Sequence, residues 1–381
     1  MVTIDEQTET KAVADNAKHQ ELERVLVGGT KEDYMTSLNH IRFNYVPDSK
    51  RPDIVRYTVD IPQTPGSYRT ALCNKLFTTK LFTEIGGNGL VRYGRRLHAS
   101  GQYDLLIKNV RDQLDRNFGS FMIRTKQSPN NGDNPVFVAR ALLSPRFKRM
   151  DDNVLFPLID SILEDFPSMN PLGKGMNTGE RTFARFVSKD PIIEKGKRKI
   201  YIGFQITNSE VGSSGLSIEF FLCDGYCDNG MVFGKESLEL GEFYMKHLGK
   251  KCQITSGLIP QGAIPYSDRD KIRQHIRSML SVEKLYSIRE LVESSFERTF
   301  TAEPELVIER FGQYYDCTKE EIDQAKEEFD YNERHAYGLQ AAFTAVGQSS
   351  DSFDRRAELD RIGGRIVEQD KAQWERLVLV A

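Results

Sequence analysis

Three strand-forming stretches, RTFARFVS (181–188), KIYIGFQIT (199–207) and LSIEFFLC (216–223), follow one another with only KDPIIEKGKR and NSEVGSSG between them. Parallel neighbours need a crossover of a dozen or more residues, so connections this short dictate antiparallel pairing. FMIRTK and PVFVARALL, further upstream, are also rich in strand formers, and the polar QSPNNGDN between them reads as a hairpin loop. KRPDIVRYTVDIPQTPGSYRT alternates and then meets Pro and Gly, which predicts a strand followed by a loop.

Helical spacing marks most of what remains. QYDLLIKNVRDQLDRNF sets Leu105, Leu106, Val110 and Leu114 on one side, and the segment before it, EIGGNGLVRYGRRL, begins with a Gly-rich turn. MDDNVLFPLIDSILEDF predicts a helix with Asp152 or Asn153 as N-cap and Pro157 near its first turn. A long helical region runs over 268–300, with Ile272, Ile276, Met279, Leu280 and Leu285 as its inner stripe. TKEEIDQAKEEF opens with a capping box, Thr318 with Glu321, and the last eighty residues read as all-helical. The expected class is α+β, a mainly antiparallel sheet flanked by helices with a helical C-terminal region. It divides into an N-terminal segment, partly loose, over 1–68, an α+β core over 69–300, and a helical, acidic region over 301–381.

MVTIDEQTETK lacks the apolar segment of a secretory signal, and no run approaches the ~20 apolar residues of a membrane span. Cys73, Cys223, Cys227, Cys252 and Cys317 are odd in number and scattered, which fits reduced thiols in a cytoplasm. The net charge of -3 hides an asymmetry. Residues 69–150 hold 15 Lys and Arg against 5 Asp and Glu, whereas 301–381 hold 10 against 18. Blocks of this size attract a polyanion or a complementary partner, unless they pair with each other.

The run NSEVGSSGLSIEFFLCDGYCDNGMVFG (208–234) invites several chemistries. Cys223 and Cys227 are half of a structural zinc site, but the second pair of ligands is missing. Asp-Gly-Tyr separates them where a redox pair has two residues at a helix start. NSEVGSSG joins strand to strand and so lacks the helix dipole of a phosphate loop, and GKGMNTGERT has Glu180 where a P-loop needs lysine. Asp224-Gly225 and Asn229-Gly230 are strong turn signals, so the run reads as sheet and corners, with the cysteines packing as small hydrophobes.

This run and the upstream VARALLSPRFKRMDDNVLFPLID resemble the phage- and plasmid-encoded family filed as domain of unknown function 932. YGLQAAFTAVGQ and RRAELDRIGGRI are similar to it too, so the likeness spans roughly 86–367. The family often carries a basic residue and Cys-Thr-Asn-Gly where this chain has Tyr226, Cys227, Asp228, Asn229 and Gly230. The resemblance implies a mobile-element origin and the cytoplasm of a bacterial host, and it supplies no catalytic residues.

Cations with interleaved aromatics give the functional expectation. RYGRRLH holds Arg92, Tyr93, Arg95, Arg96 and His98, the last reading as a surface histidine. Arg140, Arg146, Lys148, Arg149, Lys197, Arg198 and Lys199 are the phosphate-binding candidates, with Phe147 and Tyr201 as stacking rings. Cations neutralise phosphates and release counterions, and rings stack on unpaired bases. Three strands followed by a long helix are also similar in order to single-strand annealing proteins of the Rad-fifty-two type, a fold-level analogy that implies homo-oligomeric rings. The expected function is non-enzymatic binding of single-stranded nucleic acid, DNA above RNA, with no cofactor and no membrane partner. The alternatives are a metal-dependent nuclease built on Glu210, Glu219, Asp224 and Asp228, with Glu219 otherwise facing solvent, and an anti-host or scaffold protein that binds a host protein.

Overall fold

The computed structural model describes residues 30–48, 51, 54–64, 66–128, 136–171, 176–196, 198–225, 229–233, 243–254, 256–260, 263–350 and 352–379. The N-terminal tail read over 1–24, most of the QSPNNGDN loop, Lys197, Cys227 and Asp228 lie outside them.

The chain begins with β1 (Lys31–Ser37), β2 (Arg42–Pro47), β3 (Val55–Thr64) and β4 (Ser67–Cys73). Residue 68, drawn above as a boundary, therefore lies inside a strand, and the stretch read as a loop after β3 is the returning arm of a hairpin. Helices α1 (Lys75–Ala99) and α2 (Tyr103–Leu114) follow, then β5 (Ser120–Gln127) and β6 (Phe137–Leu143). The Gly-rich turn expected before Arg92 is a kink within α1, where Gly87 takes φ 63°, open to glycine without a Cβ penalty.

Helix α3 (Asp152–Leu163) leads into a second sheet. Its N-cap is Asp151, one residue earlier than expected, and Pro157 sits inside the helix rather than in its first turn. The second sheet comprises β7 (Met169–Pro171), β8 (Met176–Asn177), β9 (Thr182–Ser188), β10 (Ile193–Lys195), β11 (Arg198–Asn208), β12 (Leu216–Asp224), β13 (Asn229–Phe233) and β14 (Phe243–Met245). Strand β15 (Gly257–Ile259) returns to the first sheet, whose order is β15-β1-β5-β6-β4-β3-β2. All its pairs are antiparallel except β4 with β6, which are separated in the chain by α1, α2 and β5. The second sheet runs β13-β12-β11-β9-β7 and is antiparallel throughout, as its short connections require.

The long helix expected over 268–300 is two, α4 (Tyr266–Met279) and α5 (Val282–Glu297), with Ser281 capping the second. The C-terminal region is helical as expected: α6 (Pro304–Tyr314), α7 (Lys319–Glu328), α8 (Ala336–Ser349), α9 (Phe353–Glu368) and α10 (Lys371–Val378). The Thr318–Glu321 capping box is formed at the start of α7. Among the described residues no helix is long and apolar enough to cross a membrane.

Burial follows the strand alternation. One face of the first sheet, with Phe43, Val59 and Ile123, packs on Phe77 and Leu81 of α1 and on Leu106 and Val110 of α2. Its other face carries Met35 and Met122 toward Phe147 and Cys252. In the second sheet Phe204, Ile206, Ile218 and Phe220 pack on α3, α4 and α5. The reverse face is polar along one cross-strand row, Arg185, Gln205 and Glu219, and this row meets Asp360 and Arg361 of α9.

Candidate nucleic-acid interface

Past the end of β6 the segment 144–150 runs beside 246–252, a pairing across a hundred residues of sequence. Lys148 N donates to His247 O at 3.1 Å, Gly249 N to Arg146 O at 2.8 Å, and Cys252 N to Pro145 O at 2.8 Å. Phe147 bridges to Leu248, and its ring stacks on His247 with centroids 5.0 Å apart. The resulting two-stranded ribbon leaves Arg146, Lys246, Lys250 and Lys251 exposed. Among the described residues, none of these four has a carboxylate partner. Tyr244 (49% exposed) and Leu248 (62%) add apolar surface. Neither 144–150 nor 243–254 contains an acidic residue.

Most of the cations expected to face a nucleic acid are committed elsewhere. Arg140 Nη2 meets Glu210 Oε2 at 2.9 Å, and Arg149 reaches Asp33 at 3.3 Å and Pro260 O at 2.8 Å. Lys148 pairs with Asp268, and Arg198 is clasped between Asp224 and Glu333. Lys199 is half-exposed, 3.8 Å from Glu194. Phe147 anchors the ribbon through His247, and Tyr201 packs on Val187, Phe221, Cys223 and Val232. Nor do the two groups converge. Asn208, which contacts His247, ends β11, and Lys199 lies nine residues back along it, about 30 Å at strand rise. Of the expected set, Arg146 alone presents an exposed cation on the ribbon. The lysines of KHLGKK (246–251) were in plain view in the sequence, but their pairing with 144–150 was not.

Beneath the ribbon lies a buried ionic network joining the two sheets. Arg124 of β5, with 0% side-chain exposure, binds Asp33 Oδ1 at 2.9 Å, Asp151 Oδ1 at 2.5 Å and the Glu210 carbonyl at 2.7 Å. Lys31 Nζ lies 2.5 Å from Glu210 Oε1, which also accepts from Asp152 N at 2.9 Å. Asp152 accepts from Thr182 Oγ1 and Asn208 Nδ2, both at 2.6 Å. Burial and the neighbouring Glu210 charge push the Asp152 carboxyl up to about 6. Burial alone would raise Glu210 as well, but Arg140, Lys31 and Arg124 outweigh it and hold it at about 2. Burial also lowers His247. Arg124, Lys31, Arg140, Asp33, Asp151 and Glu210 each have a counter-charge within the network, and Asp152 is satisfied by neutral donors, which makes the network a clamp between sheets rather than a binding surface.

The three described carboxylates of the nuclease alternative, Glu210, Glu219 and Asp224, do not meet. Glu210 sits in the clamp, Glu219 is 1% exposed against Arg361 rather than facing solvent, and Asp224 binds Arg198. Glu219 and Asp224 are five residues apart on one strand and so project to opposite faces. Among the described residues no group of His, Cys, Asp and Glu is arranged to hold a metal ion. Cys223 is buried in β12. RYGRRLH forms the C-terminal part of α1, with Arg92, Arg95, Arg96 and His98 exposed, away from the ribbon in the sheet order. Comparison with known proteins finds no family model, no curated protein and no solved structure that matches this chain.

Proposed function

We propose that this protein binds single-stranded nucleic acid, without catalysis, through the ribbon of 144–150 and 246–252 and the adjoining Tyr244. The carrying observation is the gathering of Arg146, Lys246, Lys250 and Lys251, exposed and unpaired among the described residues, beside exposed Tyr244 and Leu248. Four cations on a two-stranded ribbon suit the irregular phosphate path of an unpaired strand. Tyr244 offers a face on which a base can stack, worth about 1–3 kcal/mol. Asp33 of the clamp compensates Arg149 and Asp268 of α4 compensates Lys148, leaving the outer cations to the ligand. The resemblance to a phage- and plasmid-encoded family points the same way, since mobile elements expose single strands when they replicate.

Four phosphate contacts predict a log–log salt slope of about -3 for single strands. Binding of a labelled oligonucleotide, followed by anisotropy, weakens about 50-fold between 50 and 200 mM salt. The Lys246→Ala/Lys250→Ala/Lys251→Ala variant cuts the slope to about -1. An unchanged slope in that variant removes the ribbon from the interface, and Mg²⁺-dependent shortening of the oligonucleotide replaces binding by cleavage.

A further inference from the structure

A second concave feature lies on the far side of the first sheet, where β3 and β4 meet α1. It is a cleft of about 540 Å³, within the ~300–1,000 Å³ of small-ligand sites. Arg56, Lys75, Arg95 and His98 stand on its wall with Tyr57 and Phe82, and no acidic residue lines it. Lys75 and Arg95 are exposed and have no ion-pair partner among the described residues; Arg56 pairs with Asp48, which is nearly buried. Lys75 is also the first residue of α1, so the cleft receives the positive end of the helical segment that precedes the Gly87 kink, capped by Asn74.

The aromatic side is fixed in place. The Tyr57 ring stacks on Phe43 with centroids 5.2 Å apart, and its hydroxyl lies 2.8 Å from His98 Nδ1. Burial, aided by Tyr103, pushes the Tyr57 hydroxyl up to about 12, so it keeps its proton. Its hydrogen bond to Nδ1 holds the His98 ring in place at the cleft wall. Phe82 and Val91 supply an apolar surface beside it.

We propose that this cleft binds a nucleoside 5′-phosphate, its phosphate held between Lys75 at the start of α1 and Arg95 of its C-terminal part, and its base against the Phe82–Val91 wall. The site shares no residue with the ribbon, so the two readings stand or fall separately. Such a group has two sources, a free nucleotide or the phosphorylated end of a strand, and both present the same chemistry.

Calorimetry of the full chain with thymidine 5′-monophosphate, thymidine and inorganic phosphate tests it. The monophosphate binds at least about tenfold more tightly than either part, and Lys75→Ala/Arg95→Ala loses at least about tenfold while its thermal unfolding stays that of the wild type. No heat with the monophosphate, equal affinity for phosphate alone, or indifference to the double variant overturns the proposal. A second arm uses the Lys246→Ala/Lys250→Ala/Lys251→Ala background with 5′-phosphorylated and 5′-hydroxyl oligonucleotides. A preference for the phosphorylated end that Lys75→Ala/Arg95→Ala abolishes assigns the site to strand ends. Equal oligonucleotide binding, with the mononucleotide still bound, assigns it to free nucleotides.

Discussion

Asp152 and Glu210 share one buried cluster and titrate in opposite directions, because Glu210 has Lys31, Arg140 and Arg124 around it while Asp152 has Glu210 itself. A carboxyl held at about 6 when folded binds a proton that the unfolded chain, near 4, has already lost. Stability from Asp152 is therefore fullest below pH 4 and falls as pH rises toward 6, by up to about 1.4 kcal/mol per pH unit. Glu210 has the reverse sign, and its contribution is present above pH 4.5 and lost as pH falls toward 2. In Asp152→Asn the decline between pH 4 and 6 flattens by about one proton, read from urea midpoints at pH 4.5, 6 and 7.5. A slope equal to that of the wild type would place the titrating proton on another group. None of this is legible in the sequence, which offers Asp152 or Asn153 as the helix cap; the cap is Asp151, and Asp152 turns inward to Thr182 and Asn208.

Strands β9, β11 and β12 were readable to within a few residues, because β-branched and aromatic runs separated by eight to ten residues leave little choice of pairing. What the pattern hid was the covering of the second face. Glu219, between Ile218 and Phe220, looks like a solvent position of a one-sided sheet, but α9 lies over that face and Arg361 meets the carboxylate at 2.8 and 2.9 Å. Gly203 marks the tightest approach within the sheet. A Cβ there would come 1.8 Å from the Phe186 carbonyl oxygen and 2.9 Å from Val187 Cα, both backbone atoms of β9. Gly203→Ala must push β9 and β11 apart, at a cost of about 3 kcal/mol or more in denaturant unfolding. A loss below about 1 kcal/mol would mean that the strands part easily. The candidate interface was only half visible for a related reason. Arg146 and Phe147 were named from the sequence, whereas Lys246, Lys250 and Lys251 join them through a pairing of segments that no local pattern announces.

The two sheets meet across the Arg124 cluster, with Lys31, Asp33, Arg124 and Arg140 from the first and Thr182, Asn208 and Glu210 beside the second. Burial alone would disfavour the Arg124 charge, but Asp33 and Asp151 outweigh it and keep the guanidinium protonated. Arg124→Met leaves those carboxylates buried without their partner and costs about 3–5 kcal/mol. Because the cluster spans the junction, the expected signature is a lower urea midpoint for both sheets together. A midpoint shift confined to one probe would show that the sheets melt apart.

Among the described residues, the edge of β1 that does not face β5 is closed only by β15, Asp33 opposite Ile259. A ribosome adding about 5–20 residues per second needs roughly 7–26 s to travel from the end of β5 to that closing strand. For that interval a nascent chain holds an unsatisfied row of amides and carbonyls, open to any neighbouring polypeptide emerging from the same messenger.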